Sequence, residues 1–222
     1  MVENTESSSL ALIHAAIELF GRDGYSAVST RTLSEKAGTN LAAIKYHFGG
    51  KDDLYRAAVE HVIDLLSPQV RMARAMFDQG KGLAGNDPVR QAQLVGNLVE
   101  GLLNIFLRNK EMQTIIPFII REFFVPSKHF ALFYEALPRQ VHELFTEMVA
   151  MVQNADPKAP ETIIRAHGLV GQLVVFNLGR EILFRRMEWQ EYTDDRISLI
   201  TAEITMQFIR CLGLEIADDN AN

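Results

Sequence analysis

Residues 29–54, STRTLSEKAGTNLAAIKYHFGGKDDL, constrain the fold most strongly, because their pattern predicts two short helices joined by a tight turn. Ser29 can cap the first helix, since its hydroxyl can accept an otherwise unpaired backbone N–H. Leu33 and Ala37 lie four residues apart and form one apolar face of this helix. Gly38 then supplies the residue type that most often ends a helix. The first helix therefore has both a start and a stop.

The second predicted helix carries residue types that suit a DNA groove. Asn40 can cap it, and Ile44 and Phe48, four residues apart, turn toward the domain interior. The outward side chains are Leu41, Ala42, Lys45 and Tyr46. Lysine and tyrosine beside small apolar side chains fit the major groove, and helix-turn-helix geometry requires a brief turn that often contains glycine. The whole stretch is typical of a helix-turn-helix.

The charge of the chain is divided unevenly. The net charge is -6 at pH 7, which by itself disfavours DNA binding. Residues 30–51 contain four basic side chains and one acidic one, so this stretch carries +3 and the remainder carries -9. An acidic body repels DNA everywhere except at the basic face, and this favours one docking orientation.

The rest of the 222-residue chain also predicts helices, and no segment alternates like a strand. A first helix spans residues 12–20 and is stopped by Gly21 and Gly24. A long amphipathic helix starts at Asp52, and residues 79–88, QGKGLAGNDP, are the clearest loop. Further helices are predicted at about 88–109, 127–153 with a kink near Pro138, 161–187 and 193–212.

Residues 12–54 resemble the N-terminal domain of the TetR family of bacterial transcriptional regulators. The similarity runs without gaps through LIHAAIELF, the GY turn, the AG turn and the closing YHF-x-x-K-x-x-L. In addition, RAHGLVGQLVVFNLGREILFRR at 165–186 is similar to the ligand-domain helix of the CecR-type subgroup. The resemblance implies an all-α protein, with a three-helix helix-turn-helix DNA-binding domain at 1–54 and a larger helical effector-binding and dimerisation domain at 55–222.

The same resemblance implies contacts with double-stranded DNA from Thr30, Arg31, Leu41, Ala42, Ala43, Lys45, Tyr46, His47 and Lys51. Thr30 and Lys51 fall where the family anchors phosphates, with Tyr46 and His47 sharing that role. The others fall where the family reads bases. Phosphate contacts fix the register of a protein on DNA, whereas base edges specify the sequence. The basic side chains of the second group could donate to guanine, and the apolar ones could meet thymine methyl groups.

Aromatic residues are concentrated in the second half of the chain, where ten of the thirteen phenylalanines lie at or after Phe106. Helices broken by proline leave gaps that side chains fill or a small ligand enters, so a plain helical core and a ligand pocket both explain the pattern. Gln172 and Asn177 interrupt apolar helices, and burying them unpaired is costly. The functional interpretation is a pocket for a small, largely apolar effector, lined by Phe106, Phe118, Arg121, Phe124, Phe133, Gln172 and Asn177.

The last two predicted helices are candidates for a homodimer interface. Gly168, Gly171 and Gly179 would each weaken a helix by about 1 kcal/mol relative to alanine, and close approach of another helix is a reason to retain them. The same glycines could instead pack inside the subunit. We expect a homodimer with Gly168, Gly171, Val175 and Phe208 at the interface, which requires a near-palindromic DNA site.

Other classes of function have little support in the sequence. The chain has no HExxH, GxGxxG, P-loop or GxSxG motif, so we expect no enzyme, no cofactor and no metal site. The single cysteine, Cys211, fits a reducing compartment, and no apolar run is long enough to span a bilayer. We therefore expect a cytoplasmic protein with no membrane partner. The remaining alternative is a helical adaptor without DNA binding, because helix-turn-helix units also occur as packing motifs.

Overall fold

The computed structural model describes residues 2–214, with the side chains of residues 7–109 and 111–214. Over that range the chain forms eleven α-helices and no strand, which confirms the predicted all-α fold. The helices are α1 (Val2–Asp23), α2 (Thr30–Ala37), α3 (Leu41–Phe48), α4 (Lys51–Ala84), α5 (Pro88–Arg108), α6 (Lys110–Phe124), α7 (Phe130–Ala136), α8 (Pro138–Gln153), α9 (Pro160–Leu178), α10 (Arg180–Met187) and α11 (Asp194–Cys211).

The helices form two compact units. Unit 1 comprises residues 2–67 and 110–137, and unit 2 comprises residues 68–109 and 138–214. Unit 1 therefore contains α1 to α3, the first half of α4, and also α6 and α7. The predicted boundary at residue 54 separates a DNA-binding function from an effector-binding function and stays a prediction. By their contacts, α6 and α7 belong with the N-terminal helices.

Local capping interactions fix the ends of α2 and α3. The Ser29 hydroxyl accepts the backbone N–H of Thr32 at 3.0 Å, and the Asn40 side chain accepts the N–H of Ala43 at 3.0 Å. Gly38 ends α2 with φ of 66°, in the left-handed region that glycine adopts without strain. Both predicted caps and the predicted glycine stop are confirmed.

The two glycines after the first predicted helix have different roles. Gly24 ends α1 with φ of +85°, as predicted, and its N–H donates to the carbonyl of Phe20 at 2.9 Å. Gly21 does not stop the helix, because it lies inside α1 and is buried. A Cβ atom at Gly21 would lie 2.8 Å from the backbone nitrogen of Phe118. The glycine therefore lets α6 approach the backbone of α1.

The long helix α4 is unbroken from Lys51 to Ala84 and contains Pro68 in its interior. The predicted loop at 79–88 is mostly wrong, because residues 79–84 continue the helix. Phe77 and Ala84 are buried in this part of α4, and their packing outweighs the low helix propensity of the nearby glycines. The turn that remains ends at Asp87, which caps α5 by accepting the N–H of Val89 at 2.9 Å.

The core of unit 2 is built from the second half of α4 together with α5, α8, α9 and α11, with α11 packed along α5 and α8 packed along α9. The helix predicted at 127–153 is two helices separated at Leu137, beside the predicted kink at Pro138, and the helix predicted at 161–187 breaks at Gly179. Near that break, the Tyr192 hydroxyl donates to the carbonyl of Phe176 at 2.6 Å. This bond gives one carbonyl near the end of α9 a partner.

Candidate functional site

The outward face of α3 consists of Leu41, Ala42, Lys45 and Tyr46, all of which are exposed. Tyr46 shows 79% of its surface, an unusual exposure for a tyrosine in a protein of this size. Ile44 is buried on the opposite side and fixes which way α3 faces. We call these four residues the α3 face. Its chemistry combines one cation, one phenol hydroxyl and apolar groups small enough to approach a base edge.

Ala43 does not belong to this face. It is buried, with 9% of its surface exposed, and its backbone N–H is engaged by the Asn40 cap. Successive helix residues are turned by about 100°, so Ala43 falls on the inner side with Ile44, away from Ala42. This corrects the prediction that Ala43 contacts bases.

The other residues predicted from the same motif surround the α3 face within unit 1. Thr30 is the half-buried first residue of α2, and His47 is half-buried with its ring 5.0 Å from that of Tyr46. Arg31 is highly exposed and donates to Glu35 at 2.8 Å. Exposed pairs of this kind contribute little to stability, so Arg31 can exchange its carboxylate for another acceptor at small cost.

Lys51 is the first residue of α4 and is more constrained than the sequence indicated. Its ammonium donates to the carbonyl of Tyr25 at 2.5 Å and lies 4.2 Å from the centre of the Tyr25 ring. Burial lowers the pKa of the Lys51 ammonium from its usual value. An ammonium has three donors, so the bond to Tyr25 leaves two for a phosphate. Lys51 thus holds the turn after α1 in addition to its predicted role.

The seven residues predicted to line an effector pocket fall in both units. Unit 1 contains four of them, Phe118, Arg121, Phe124 and Phe133, and unit 2 contains Phe106, Gln172 and Asn177. Phe118 and Phe133 are fully buried, whereas Phe124 is exposed. Arg121 donates to the carbonyls of Gly21 and Arg22, both at 3.1 Å, so its guanidinium already has a structural task.

Gln172 in α9 carries the strongest sign of a ligand among these seven. Its side-chain carbonyl oxygen is buried without a hydrogen-bond partner among the described residues. An unpaired buried acceptor costs about 1–3 kcal/mol, which a ligand donor would recover. A surface cavity of about 200 Å³ in unit 2 lies between α4 and α5, and none of the seven predicted residues lines it.

An exposed apolar stripe runs along α9 and α10 at alternating spacings of four and three residues. It consists of Ile164, Gly168, Gly171, Val175, Leu178 and Ile182, and we call it the α9–α10 stripe. A Cβ atom at Gly168 or Gly171 would meet nothing within 4 Å, so neither glycine is required for packing inside the subunit. Three of the six members, Gly168, Gly171 and Val175, were predicted from the sequence. The alternation of four and three residues would also have predicted Ile164, Leu178 and Ile182.

Phe208 does not join this stripe. It is fully buried in the core of unit 2, with its ring 6.1 Å from that of Phe145. A side chain with no exposed surface cannot contact a partner directly, and this corrects its assignment to the dimer interface.

Among the described side chains, those of residues 7–109 and 111–214, no three His, Cys, Asp or Glu side chains converge as ligands of a metal ion. No helix in the same range combines the length and apolar character needed to cross a bilayer. Cys211 is exposed.

Two protein-family models match separate ranges of the chain. Residues 12–58 match the model described as bacterial regulatory proteins, tetR family. Residues 92–213 match the C-terminal domain of the HTH-type transcriptional dual regulator CecR.

Individual proteins of known name are similar over most of the chain. CecR of Shigella flexneri, a transcriptional dual regulator, is 29% identical over 206 residues, which cover 90% of this chain and 89% of that protein. HdnoR of Paenarthrobacter nicotinovorans, a nicotine-responsive transcriptional repressor, is 27% identical over 164 residues, covering 74% and 76%. The crystal structure of AibR in complex with isovaleryl coenzyme A and operator DNA superposes with a TM-score of 0.61 at 15% identity, covering 90% of this chain and 97% of that one. The last similarity shows the fold alone.

Proposed function

This chain belongs to the TetR family of bacterial transcriptional regulators, with a C-terminal domain of the CecR type, and from that premise we propose that it is a homodimeric repressor. Membership makes it a ligand-responsive, DNA-binding regulator. The repressor binds a near-palindromic operator and leaves it when a small, largely apolar effector binds. HdnoR, which is named a repressor, supports this direction of regulation.

The observation that carries the proposal is the α3 face. Tyr46 and Lys45 project from a capped helix inside a segment with a charge of +3, in a chain whose net charge is -6. Lys45 and Arg31 contact base edges together with Leu41 and Ala42. Thr30, Tyr46, His47 and Lys51 contact phosphates and set the register.

Dimerisation uses the α9–α10 stripe. Its glycines open onto solvent in the single chain, and a second helix packed there would approach the backbone closely. Exposed contiguous apolar surface of this kind marks an interaction site. A two-fold axis through the interface would place the two copies of α3 about 34 Å apart, or a multiple of that distance, which matches one turn of DNA.

The effector occupies unit 2 beside Gln172. The unpaired carbonyl oxygen of Gln172 beside an apolar core favours a mostly hydrocarbon molecule that carries a donor group. Phe106 and Asn177, both partly buried, are the other two residues of the predicted lining that lie in the same unit. The names of HdnoR and of the AibR complex, which mention nicotine and isovaleryl coenzyme A, support a small organic effector.

Release follows from a difference in affinity between two arrangements of the dimer. The effector must bind the arrangement that cannot hold DNA more tightly than the one that can, or it shifts nothing. Converting a 1:99 equilibrium to 99:1 requires about a 10⁴-fold preference. A weaker preference gives partial release.

We further propose that the protein has no catalytic activity or cofactor and acts in the cytoplasm without a membrane partner. The relatives described above are transcriptional regulators, which supports this. The predicted alternative is a helical adaptor that does not bind DNA. Such an adaptor would select no DNA fragment.

The test is selection of bound fragments from the source genome, followed by titration of the tightest fragment with salt. A repressor selects a few near-palindromic fragments, and log K falls with log salt by about 0.9 for each phosphate contact. Replacing Gln172 by leucine, with His167→Leu as a control on the exposed side of the same helix, then tests whether effector release depends on Gln172. Recovery of no fragment above background, or binding insensitive to salt, would favour the adaptor.

A further inference from the structure

Glu122 of α6 is fully buried inside unit 1, a costly place for a carboxylate without donors. Three donors surround it. The Tyr55 hydroxyl donates to Oε1, while the backbone N–H and the hydroxyl of Ser127 donate to Oε2 at 3.3 and 3.1 Å. The carboxylate therefore connects α4, α6 and the segment that follows α6.

Tyr55 lies at the centre of a cluster of rings contributed by several elements of unit 1. Its ring centre is 5.0 Å from Phe20, 5.4 Å from Tyr25, 5.2 Å from Phe118 and 6.1 Å from His129. Burial raises the pKa of the Tyr55 hydroxyl, and the neighbouring Glu122 raises it further. Tyr55 thus remains a neutral donor at physiological pH.

Two further contacts fasten the same region. Arg121 donates to the carbonyls of Gly21 and Arg22, which lie in the last turn of α1 and have no partner within the helix. Lys128, after α6, forms an ion pair with Asp52 in the first turn of α4 at 2.7 Å. One side of α6 and its following segment is thus bonded to the ends of both helices that flank the helix-turn-helix.

We propose that Tyr55, Glu122 and Ser127 form a latch that sets the pose of α3 for DNA, with Glu122 as its positioning residue. The latch deepens the proposed repressor function and rests on it. Tyr55 is one helical turn beyond Lys51, and only Gly49 and Gly50 separate α4 from α3. The bond from Tyr55 to Glu122 therefore fixes the start of α4 against α6 and, through two residues, the direction of the α3 face.

The latch has two discrete states, closed and open. A buried carboxylate that loses its hydrogen-bond donors is strongly destabilised, so partly bonded arrangements are not populated. When the latch is closed, the helix-turn-helix holds one orientation. When the latch is open, the helix-turn-helix samples several orientations. The apparent dissociation constant for DNA then rises by the inverse of the fraction of molecules whose orientation still allows DNA binding. Contacts with DNA in the bound state stay the same.

The test uses Tyr55→Phe and Glu122→Gln, singly and together, with Tyr192→Phe as the matched control. Tyr192 is likewise a tyrosine whose hydroxyl donates a hydrogen bond, to the Phe176 carbonyl at 2.6 Å, but it is half-buried and belongs to unit 2. Affinity is measured by fluorescence anisotropy, at several salt concentrations, on the genomic fragment that the unaltered protein selects. Unfolding by urea is measured for every variant.

We expect Y55F and E122Q to weaken DNA binding about tenfold each with an unchanged salt slope, because the phosphate contacts persist once the complex forms. The double variant should lose less than the product of the two single losses, since both break one interaction. Y192F should bind within about twofold of the unaltered protein despite a similar loss of stability.

Three outcomes overturn the latch: Y55F binds as tightly as the unaltered protein, the single losses multiply, or Y192F loses as much affinity as Y55F. If E122Q does not fold, Y55F with Y192F still decides. Failure of the unaltered protein to select any fragment refutes the repressor instead. Selection by the unaltered protein with no effect of Y55F refutes only the latch.

Discussion

Two surfaces of this chain are exposed and apolar in part, yet they differ in what surrounds the apolar groups. The α3 face has a lysine and a tyrosine hydroxyl beside Leu41 and Ala42, in a basic segment. The α9–α10 stripe has glycines between aliphatic side chains and open space above their Cα atoms. A polar, cationic surface suits the negatively charged groove of DNA, whereas an apolar surface with small residues suits a second helix. Composition around the apolar groups, more than their exposure, distinguishes the two proposed partners.

The largest expected effect is on dimerisation. Ile164→Glu or Ile182→Glu places a carboxylate in the stripe of both copies at once, so the dissociation constant of the dimer should rise at least about a hundredfold. Sedimentation equilibrium measures it. Leu83→Glu is the control, because Leu83 and Ile164 are both 69% exposed and only Ile164 is in the stripe. A dimer unchanged by I164E would show that the stripe serves another partner.

The next effect separates base reading from phosphate anchoring on the other surface. Lys45→Ala should cost about 1–3 kcal/mol of DNA binding and relax base preference at one position. Lys51→Ala should weaken binding to all sequences almost equally and reduce the salt slope by about one. Competition between randomised duplexes measures both. Lys36→Ala, which removes a cation paired with Glu18 at 2.6 Å, controls for charge alone. Identical behaviour of K45A and K51A would refute the division of roles.

A smaller effect comes from the helix caps in the two units. Asn40→Ala and Asp87→Ala each remove a side chain that accepts a backbone N–H at the start of a helix, and each should destabilise its unit by about 1 kcal/mol. Urea unfolding measures the loss. Only N40A should also weaken DNA binding, because α3 presents the α3 face. Equal DNA affinity of N40A and the unaltered protein would mean that α3 keeps its conformation without the cap.

The smallest effect is a dependence on pH that both units share. Burial lowers the pKa of His142, and the nearby His167 lowers it further; burial and His14 likewise lower the pKa of His61. The unfolded chain then binds protons more readily, so the stability contributed above about pH 6.5 is lost as pH falls. His142→Gln and His61→Gln should each flatten the fall in unfolding free energy between pH 8 and pH 5. An unchanged profile in both would contradict this origin.

Local chemistry was predictable from the sequence, and long-range packing was not. Ser29, Asn40 and Gly38 act on neighbours within three residues, so their roles follow from residue type and spacing alone. Gly21 looked like a helix stop because its true neighbour, the backbone at Phe118, is almost a hundred residues away in sequence. The loop expected at 79–88 was lost for a similar reason, since burial of Phe77 and Ala84 outweighs local propensity.

The candidate sites divide along the same line. The α3 face follows from helical spacing once Ile44 is taken as the inward residue, and Ala43 was misplaced by one step of about 100°. The stripe has a regular spacing, but a helix with two apolar faces does not reveal from sequence which one the core takes. The role of Glu122 could not be predicted from the sequence, because its partner Tyr55 lies in another helix far along the chain.

The close fit of α6 against α1 at Gly21 has a practical consequence for dissecting the molecule. A fragment that ends at Ser67 retains the whole helix-turn-helix yet uncovers Tyr55, whose ring packs against Phe118 in the intact unit. This isolated fragment should therefore aggregate. A chimaera that exchanges reading specificity between regulators should therefore transplant residues 110–137 together with the first 67, as one discontinuous graft.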